Sequence, residues 1–240
     1  MERSDNNVAR KRESDFEQTE NAMTKGAPPD KAPTLHSLEA DSRLQAAFDF
    51  VNGPVGYRFR TGASRKDALA RGAGFAKGNT PVIIDATAGL GRDAFLLACL
   101  GAEVTLLERS PGVHELLRGA LARAALESPE LAAVVARMTL LQGDARALLP
   151  GLRADTVIVD PMHPARTSTA IVKQEMRLLR DLVGTDPDAL ELMQAALAAD
   201  CKRVVLKWPQ RAAPLQGLRK PSHSIAGKTV RYDVFMKAAR

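Results

Sequence analysis

The chain has 240 residues, 45% of them hydrophobic, which is enough to bury the core of one domain. No apolar run approaches the ~18 residues that a membrane-spanning helix requires, and the polar N-terminus lacks the apolar segment of a secretory signal peptide. Two cysteines are too few for a disulfide framework or a cysteine-based zinc site. These features predict a cytoplasmic protein that uses neither a membrane nor a metal ion.

The net charge of +6 is unevenly distributed along the chain. Residues 53–80 hold six basic side chains against one acid, and residues 201–240 hold ten against one. Residues 81–200, which lie between these two segments, hold 11 basic and 16 acidic side chains. Residues 1–52 hold 7 basic and 10 acidic side chains. If both basic flanks fold to one side, they form a positive rim that suits a polyanion such as RNA. The alternative is that these basic residues only solvate the surface.

The first 80 residues precede the part of the chain with a regular pattern. Residues 1–34 contain three prolines and few apolar side chains, so we expect a disordered leader. Residues 35–80 form a small basic appendage of helix and hairpin in this prediction. The hairpin is predicted over residues 48–60, where apolar and polar side chains alternate around the turn signal Asn52-Gly53.

From residue 81 onward, short apolar segments alternate with helical patterns. We predict strands at 81–84, 103–107, 138–142, 155–159 and 203–207, and helices at 93–100, 111–126, 168–183 and 187–199. The alternation predicts an α/β domain over residues 81–240, with a doubly wound, mostly parallel Rossmann-like sheet. Two segments around Gly227-Lys228 predict a closing antiparallel hairpin at the C-terminus.

The loop after the first strand carries the first ligand-binding pattern. Gly89 and Gly91 let a ligand approach the main chain, and a helix that begins near Arg92 points its N–H groups at that ligand. Such a loop holds either a dinucleotide or S-adenosylmethionine, and its glycine spacing also fits the dinucleotide pattern. The acids before and after it, Asp85 and Asp93, favour S-adenosylmethionine. A tight turn without a ligand is the alternative.

The second and third strands also end in acids. Glu108, followed by Arg109, lies about 20 residues beyond the glycines, where a carboxylate can accept hydrogen bonds from both ribose hydroxyls. The alternative for this pair is an exposed charge pair. Asp144, followed by Ala145, is placed either to contact the adenine amino group or to cap the next helix.

The fourth strand ends in Asp160-Pro161-Met162-His163-Pro164. An acid followed by proline is typical of enzymes that methylate an exocyclic amine. Such an amine attacks a methyl group only if it is held in line, which the Asp160 carboxylate and the Pro161 carbonyl can do. Met162 or His163 could stack on a base flipped out of its helix. We therefore predict Asp160, Pro161 and His163 as catalytic residues; a rigid loop exit is the alternative.

Four segments together resemble the ribosomal RNA small subunit methyltransferase J family: 85–95, 106–109, 160–164 and 172–177. The resemblance extends from about Phe48 to Phe235. It implies a class I methyltransferase that transfers a methyl group from S-adenosylmethionine to the N2 amine of a guanine in 16S ribosomal RNA, free or in the 30S subunit. It also implies cofactor contacts from Arg92, Asp93, Glu108, Arg109, Asp144, Ala145 and Asp160.

Three other functions are compatible with parts of this pattern. A nicotinamide-dependent oxidoreductase would use the same glycine loop, but it would give Asp160 and Pro161 no role. A non-catalytic RNA-binding protein could retain the fold. A methyltransferase could also act on another nucleic acid or on a protein amine. Lys173 and Arg177 could contact RNA phosphates, or they could lie on the solvent side of an amphipathic helix.

Overall fold

The structure is a computed structural model that describes residues 42–76, 78–161 and 188–238. All of them belong to one compact unit, Thr34–Arg240. Several sequence predictions lie outside the described residues: the leader at 1–34, the helix at 168–183, and the roles of Met162, His163, Lys173 and Arg177.

The described helices are α1 Ser42–Ala47, α2 Pro54–Thr61, α3 Ala68–Ala73, α4 Arg92–Cys99, α5 Pro111–Glu127, α6 Pro129–Val135, α7 Ala145–Leu148 and α8 Ala189–Ala198. The described strands are β1 Ile83–Asp85, β2 Val104–Glu108, β3 Met138–Gln142, β4 Thr156–Val159, β5 Arg203–Pro209, β6 His223–Ala226 and β7 Val230–Met236. A 3₁₀ turn at Leu149–Gly151 follows α7. In the described ranges, no helix combines the length and the apolar character needed to cross a membrane.

The seven described strands form one sheet in the order β3-β2-β1-β4-β5-β7-β6. Strands β1 to β5 are parallel, whereas β7 is antiparallel to β5 and to β6. This confirms the doubly wound sheet and the C-terminal hairpin. The direction of winding reverses beside β1, because Asp85 pairs with Leu106 of β2 on one side and with Ile158 of β4 on the other. A crevice forms at the carboxyl ends of the strands where winding reverses, and ligands bind there in this architecture.

The core lies on both faces of the sheet, which is why the central strands are apolar at nearly every position. Within β2, Leu106 packs on one face with Phe95 of α4 and Leu117 of α5. Its neighbour Leu107 packs on the opposite face with Met193 of α8. The helices on the two faces thus hold the carboxyl ends of the strands in fixed relative positions.

The hairpin expected over residues 48–60 is wrong, because the chain turns and then forms α2. The Asp49 carboxylate accepts hydrogen bonds from the main-chain N–H groups of Val51 and Asn52, both at 2.8 Å. Pro54 then occupies the first position of the helix. Its fixed φ suits a helix there, and its missing N–H would have had no partner. The proline therefore outweighs the Asn-Gly turn signal.

The described part of the N-terminal appendage packs into the same core as α4 and α5. Phe50 stacks on Phe95 with ring centroids 4.8 Å apart, and Leu44 and Phe48 are buried in the same cluster. The domain boundary expected at residue 80 stays a prediction.

Candidate active site

A cavity of about 270 Å³ opens at the carboxyl ends of the central strands. It is lined by the loop after β1, by the residues that follow β2 and β3, and by parts of α8 and β5. All ten residues that the sequence predicted as cofactor contacts line it: Asp85, Gly89, Gly91, Arg92, Asp93, Glu108, Arg109, Asp144, Ala145 and Asp160. The fold therefore brings the acids at four strand ends to one place.

The loop after β1 is held by hydrogen bonds between its own residues and β2. The N–H of Ala88 donates to the Leu107 carbonyl at 3.1 Å, and the N–H of Gly91 donates to the Ala88 carbonyl at 2.7 Å. Gly91 has φ 68° and ψ 8°, in the left-handed region, and directly precedes α4. Glycine adopts this conformation without steric cost. The loop thus presents bare main chain to the cavity at the start of a helix.

Glu108 at the end of β2 is buried, with 6% of its surface exposed. One carboxylate oxygen accepts a hydrogen bond from the N–H of Gly89 at 2.9 Å, and the other accepts one from the N–H of Ser110 at 2.8 Å. These bonds hold the carboxylate against the cavity and join β2 to the glycine loop. Its contact with the ribose of a cofactor stays a prediction.

Asp144 caps α7, as one of its two sequence interpretations predicted. Its carboxylate accepts a hydrogen bond from the N–H of Arg146 at 2.9 Å. The Arg146 side chain bonds the same carboxylate and lowers the pKa of Asp144. Arg146 and Arg109 each lie 3.0 Å from an oxygen of Asp188, which precedes α8. The other interpretation, a contact between Asp144 and the adenine of a cofactor, stays a prediction.

Thr87 connects the ends of β1 and β4, and sequence reasoning missed it. Its N–H donates to the Asp85 carboxylate at 3.1 Å, and its hydroxyl accepts a hydrogen bond from the N–H of Asp160 at 2.8 Å. The main chain of Asp160 is therefore fixed by the glycine loop on the neighbouring strand. The signal in the sequence is a single hydroxyl residue between Asp85 and the glycines, which is too common to single out alone.

Lys207 on β5 is the second residue that sequence reasoning missed as a site residue. Its Nζ lies 2.8 Å from Asp93 Oδ2 and 2.8 Å from Asp160 Oδ2. Burial by itself would lower the pKa of Lys207, but the two carboxylates outweigh burial and hold this pKa well above its ordinary value. The signal that could have found it is a lysine directly after the apolar residues 204–206, at the carboxyl end of the predicted strand.

Asp85 is the most deeply buried acid of the cavity lining, with 4% of its surface exposed. Burial raises the pKa of its carboxyl from 3.8 to about 7. The N–H of Thr87 opposes this rise, the nearby carboxylates of Asp93 and Asp160 add to it, and Lys207 opposes it. Asp85 is thus a carboxyl that titrates near neutral pH at the wall of the cavity.

The raised pKa of Asp85 predicts how stability depends on pH. As pH rises from 3.8 toward 7, the unfolded chain releases the Asp85 proton before the folded protein does. The contribution of Asp85 to stability is then present at low pH and is lost as pH rises through this window. We expect the Tm of the cofactor-free protein, relative to that of Asp85→Asn, to fall between about pH 5 and 7 and to level off above about 8.

Thermal unfolding of both proteins across this pH range provides the measurement. Asp155→Asn is the matched control, because the pKa of Asp155 is lowered by its bond to Lys202 and does not reach this window. A difference in Tm between the wild type and Asp85→Asn that does not change with pH would contradict a titrating Asp85.

The described residues contain no group of three or more His, Cys, Asp or Glu side chains that could hold a metal ion.

The sequence is similar to known methyltransferases over most of its length. The pattern of the SAM-dependent methyltransferase family matches residues 12–237, so the match begins upstream of the Phe48 expected from the motifs. A ribosomal RNA small subunit methyltransferase J from Rhodopseudomonas palustris strain HaA2 is 68% identical, over 83% of this chain and 91% of the relative. Another methyltransferase J, from Agrobacterium fabrum, is 63% identical, over 78% of this chain and 90% of that relative.

The fold is similar to a solved structure as well. A SAM-dependent methyltransferase from Neisseria gonorrhoeae shares 33% sequence identity with this chain and superposes with a TM-score of 0.60, over 79% of this chain and 73% of that one. Sequence and fold thus point to the same class of enzyme.

Proposed function

This chain belongs to the ribosomal RNA small subunit methyltransferase J family of S-adenosylmethionine-dependent methyltransferases, and we propose that it methylates the N2 amine of a guanine in 16S ribosomal RNA. One observation of the site carries the proposal: Asp160, which follows β4 and precedes Pro161, lines the cavity, and Lys207 bridges it to Asp93 beside the glycine loop. Family membership excludes the nicotinamide-dependent alternative. We propose a cytoplasmic location as well, because the proposed substrate is ribosomal.

The cavity fits S-adenosylmethionine in the character of its walls. The main chain is bare at Gly91, and the buried carboxylates of Asp85 and Glu108 face the cavity. We assign Glu108 to the ribose, and Asp144 with Ala145 to the adenine. We assign the residues around the glycine loop to the amino-acid moiety: Asp85, Gly89, Gly91, Arg92 and Asp93. When bound, the cofactor supplies a methyl group on a cationic sulfur, which leaves as a neutral thioether.

The protein's part in the reaction is to orient the amine that accepts the methyl group. The lone pair of a guanine N2 is delocalised into the ring, so the amine is a poor nucleophile unless it is held in line with the methyl group. The Asp160 carboxylate accepts one N–H of the amine, and the Pro161 carbonyl accepts the other. The Asp160 carboxylate is fixed before the substrate arrives, because Thr87 holds the main chain of Asp160 and Lys207 holds its side chain. A role for His163 in stacking on the base stays a prediction.

Some basic residues of the two flanks make hydrogen bonds within the protein, so fewer of them are assigned to RNA binding. Arg65 donates to Thr80 Oγ1 and to the Leu100 carbonyl, and Arg231 donates to Asp233 and to the carbonyl of Ala212. Both arginines therefore stabilise the fold. We assign RNA phosphate contacts instead to the exposed cations of the two flanks: Lys66, Arg71, Arg211, Lys220 and Lys228.

Methyl transfer with defined substrates tests the proposal. We expect the purified protein with labelled S-adenosylmethionine to methylate 30S subunits or 16S RNA prepared from a strain that lacks the gene, at a single guanine N2. The 50S subunit is the matched control and should remain unlabelled. Mass spectrometry of RNA fragments identifies the position. Label on a ribosomal protein, on DNA or on another base, or no label at all, would contradict the proposed substrate.

A further inference from the structure

We propose that Lys207 is a positioning residue of the methyl-transfer site. It fixes the Asp160 carboxylate for the incoming amine and links that carboxylate to Asp93 beside the glycine loop. The inference deepens the proposed function and rests on it.

The position of Lys207 follows from the register of the sheet. Leu206 of β5 pairs with Val159 of β4, so the next residue along β5 lies beside Asp160. On its other side β5 pairs with β7, and Tyr232 lies opposite Lys207. The lysine side chain is 21% exposed and contacts two carboxylates that come from different elements, α4 and the end of β4. It is therefore the direct link between the cofactor side and the acceptor side of the cavity.

Two bonds then fix Asp160, one on its main chain and one on its side chain. The N–H of Asp160 donates to Thr87 Oγ1, and Lys207 Nζ donates to Asp160 Oδ2. The side chain of Asp160 is 42% exposed, so packing alone does not fix its rotamer. A carboxylate that must hold an amine in line loses much of its effect when it is displaced by about 1 Å. The bond from Lys207 prevents that displacement.

Lys207 also favours the ionised form of the two carboxylates that it contacts. Like charges oppose it: the carboxylates of Asp93 and Asp160 both favour protonation of Asp85 nearby, and Lys207 disfavours it. A protonated Asp160 would present an O–H donor where the amine requires an acceptor. Among the described residues, Tyr232 of β7 pairs opposite Lys207; burial raises the pKa of Tyr232 to about 12, and Arg58 of α2 opposes that rise. The tyrosine is therefore neutral at physiological pH, and Lys207 supplies the compensating charge.

A purely structural ion pair is the competing explanation. Buried ion pairs contribute little net stability on average, because the cost of desolvating both charges offsets their attraction. The structure offers an internal comparison at the opposite end of the same two strands, where Lys202 lies 2.7 Å from Asp155, outside the cavity lining. Lys202→Met is thus a matched control, since it removes a lysine–carboxylate pair without touching the site.

The experiment compares Lys207→Met and Lys207→Arg with the wild type in single-turnover methylation of 30S subunits. We expect Lys207→Met to lower the rate by about 100-fold, with KM for the subunit and affinity for S-adenosylhomocysteine within about threefold. The acid limb of its pH–rate profile should move to higher pH. Lys207→Arg keeps the charge and should restore the rate to within about tenfold. Lys202→Met should match the wild type.

A second readout does not depend on activity. Carboxyl ¹³C NMR of the cofactor-free protein should show a higher pKa for Asp160 in Lys207→Met than in the wild type. Lys207→Gln replaces Lys207→Met if the latter does not fold. A rate within threefold of the wild type, a defect confined to KM for the subunit, or an unchanged Asp160 pKa would overturn the proposal. If the wild type methylates no RNA, the proposed function fails, while the NMR titration still decides whether Lys207 controls Asp160.

Discussion

Replacing Asp160 by alanine should lower methyl transfer to 30S subunits by about a thousandfold. The variant loses the carboxylate that accepts the N–H of the target amine, so the amine is no longer held in line. The fold should be retained, because the side chain is 42% exposed and its removal leaves no cavity in the core. Steady-state incorporation of labelled methyl groups measures the rate, and calorimetric binding of S-adenosylhomocysteine checks that the cofactor site is intact.

Asp155→Ala is the matched control for this experiment. Asp155 immediately precedes β4, at the opposite end from Asp160, and it too pairs with a lysine. Its loss should reduce stability and leave the rate unchanged. Asp160→Asn keeps an acceptor oxygen but loses its charge, so its rate should fall between those of the wild type and Asp160→Ala. Methyl transfer by Asp160→Ala within threefold of the wild type would rule out this role for the carboxylate.

Gly91→Ala should destabilise the protein and weaken cofactor binding. A Cβ at this position would lie 2.7 Å from Leu117 Cδ1 and 3.2 Å from Phe50 Cζ, and the residue has a positive φ. The left-handed conformation and the crowding together should lower the free energy of unfolding by about 2–4 kcal/mol. Tm should then fall by roughly 5–12 °C. Because the N–H groups at the start of α4 move with the loop, affinity for S-adenosylhomocysteine should fall by at least about tenfold.

Two comparisons separate strain from crowding. Gly62 has φ 91° and ψ 119°, and a Cβ there would meet no atom within 4 Å beyond its chain neighbours, so Gly62→Ala should cost about 1–3 kcal/mol from backbone strain alone and leave cofactor affinity unchanged. Leu117→Ala removes the nearest atoms, and Gly91→Ala should therefore be less destabilising in that background. Chemical denaturation of the wild type and the four variants gives the free energies. An equal effect of Gly91→Ala in the wild type and in the Leu117→Ala background would show that contact with Leu117 is unimportant.

Features that depend on residues close together along the chain were predictable from the sequence alone. Parallel strands buried on both faces require continuous apolar segments, so β3 was predicted with its observed bounds and the other core strands to within two residues. The acids at the strand ends were also predictable as one site, because a parallel sheet brings its carboxyl ends to one edge. That reasoning placed Asp85, Glu108, Asp144 and Asp160 at the cavity.

The N-terminal segment contains two local signals that favour different structures, and the prediction followed the wrong one. Asn52-Gly53 favours a hairpin turn and Pro54 favours the first turn of a helix, and the sequence contains both. Packing adds to the preference of Pro54 for a helix, because α2 places Val55 in the cluster that contains Phe95 of α4. Propensities of a few tenths of a kcal/mol are easily outweighed by the burial of one such side chain, about 1.5–3 kcal/mol.

The sequence by itself determined the sheet, the glycine loop, the acids at the strand ends and the family. Only the tertiary structure decided how Asp160 is held. Its partner Lys207 is 47 residues away along the chain, and the second carboxylate that Lys207 contacts, Asp93, is 114 residues away from the lysine. A contact at such separation leaves no periodicity or spacing in a single sequence. It arises from the register of β5 against β4 and from the docking of α4, which are set by the packing of the whole core.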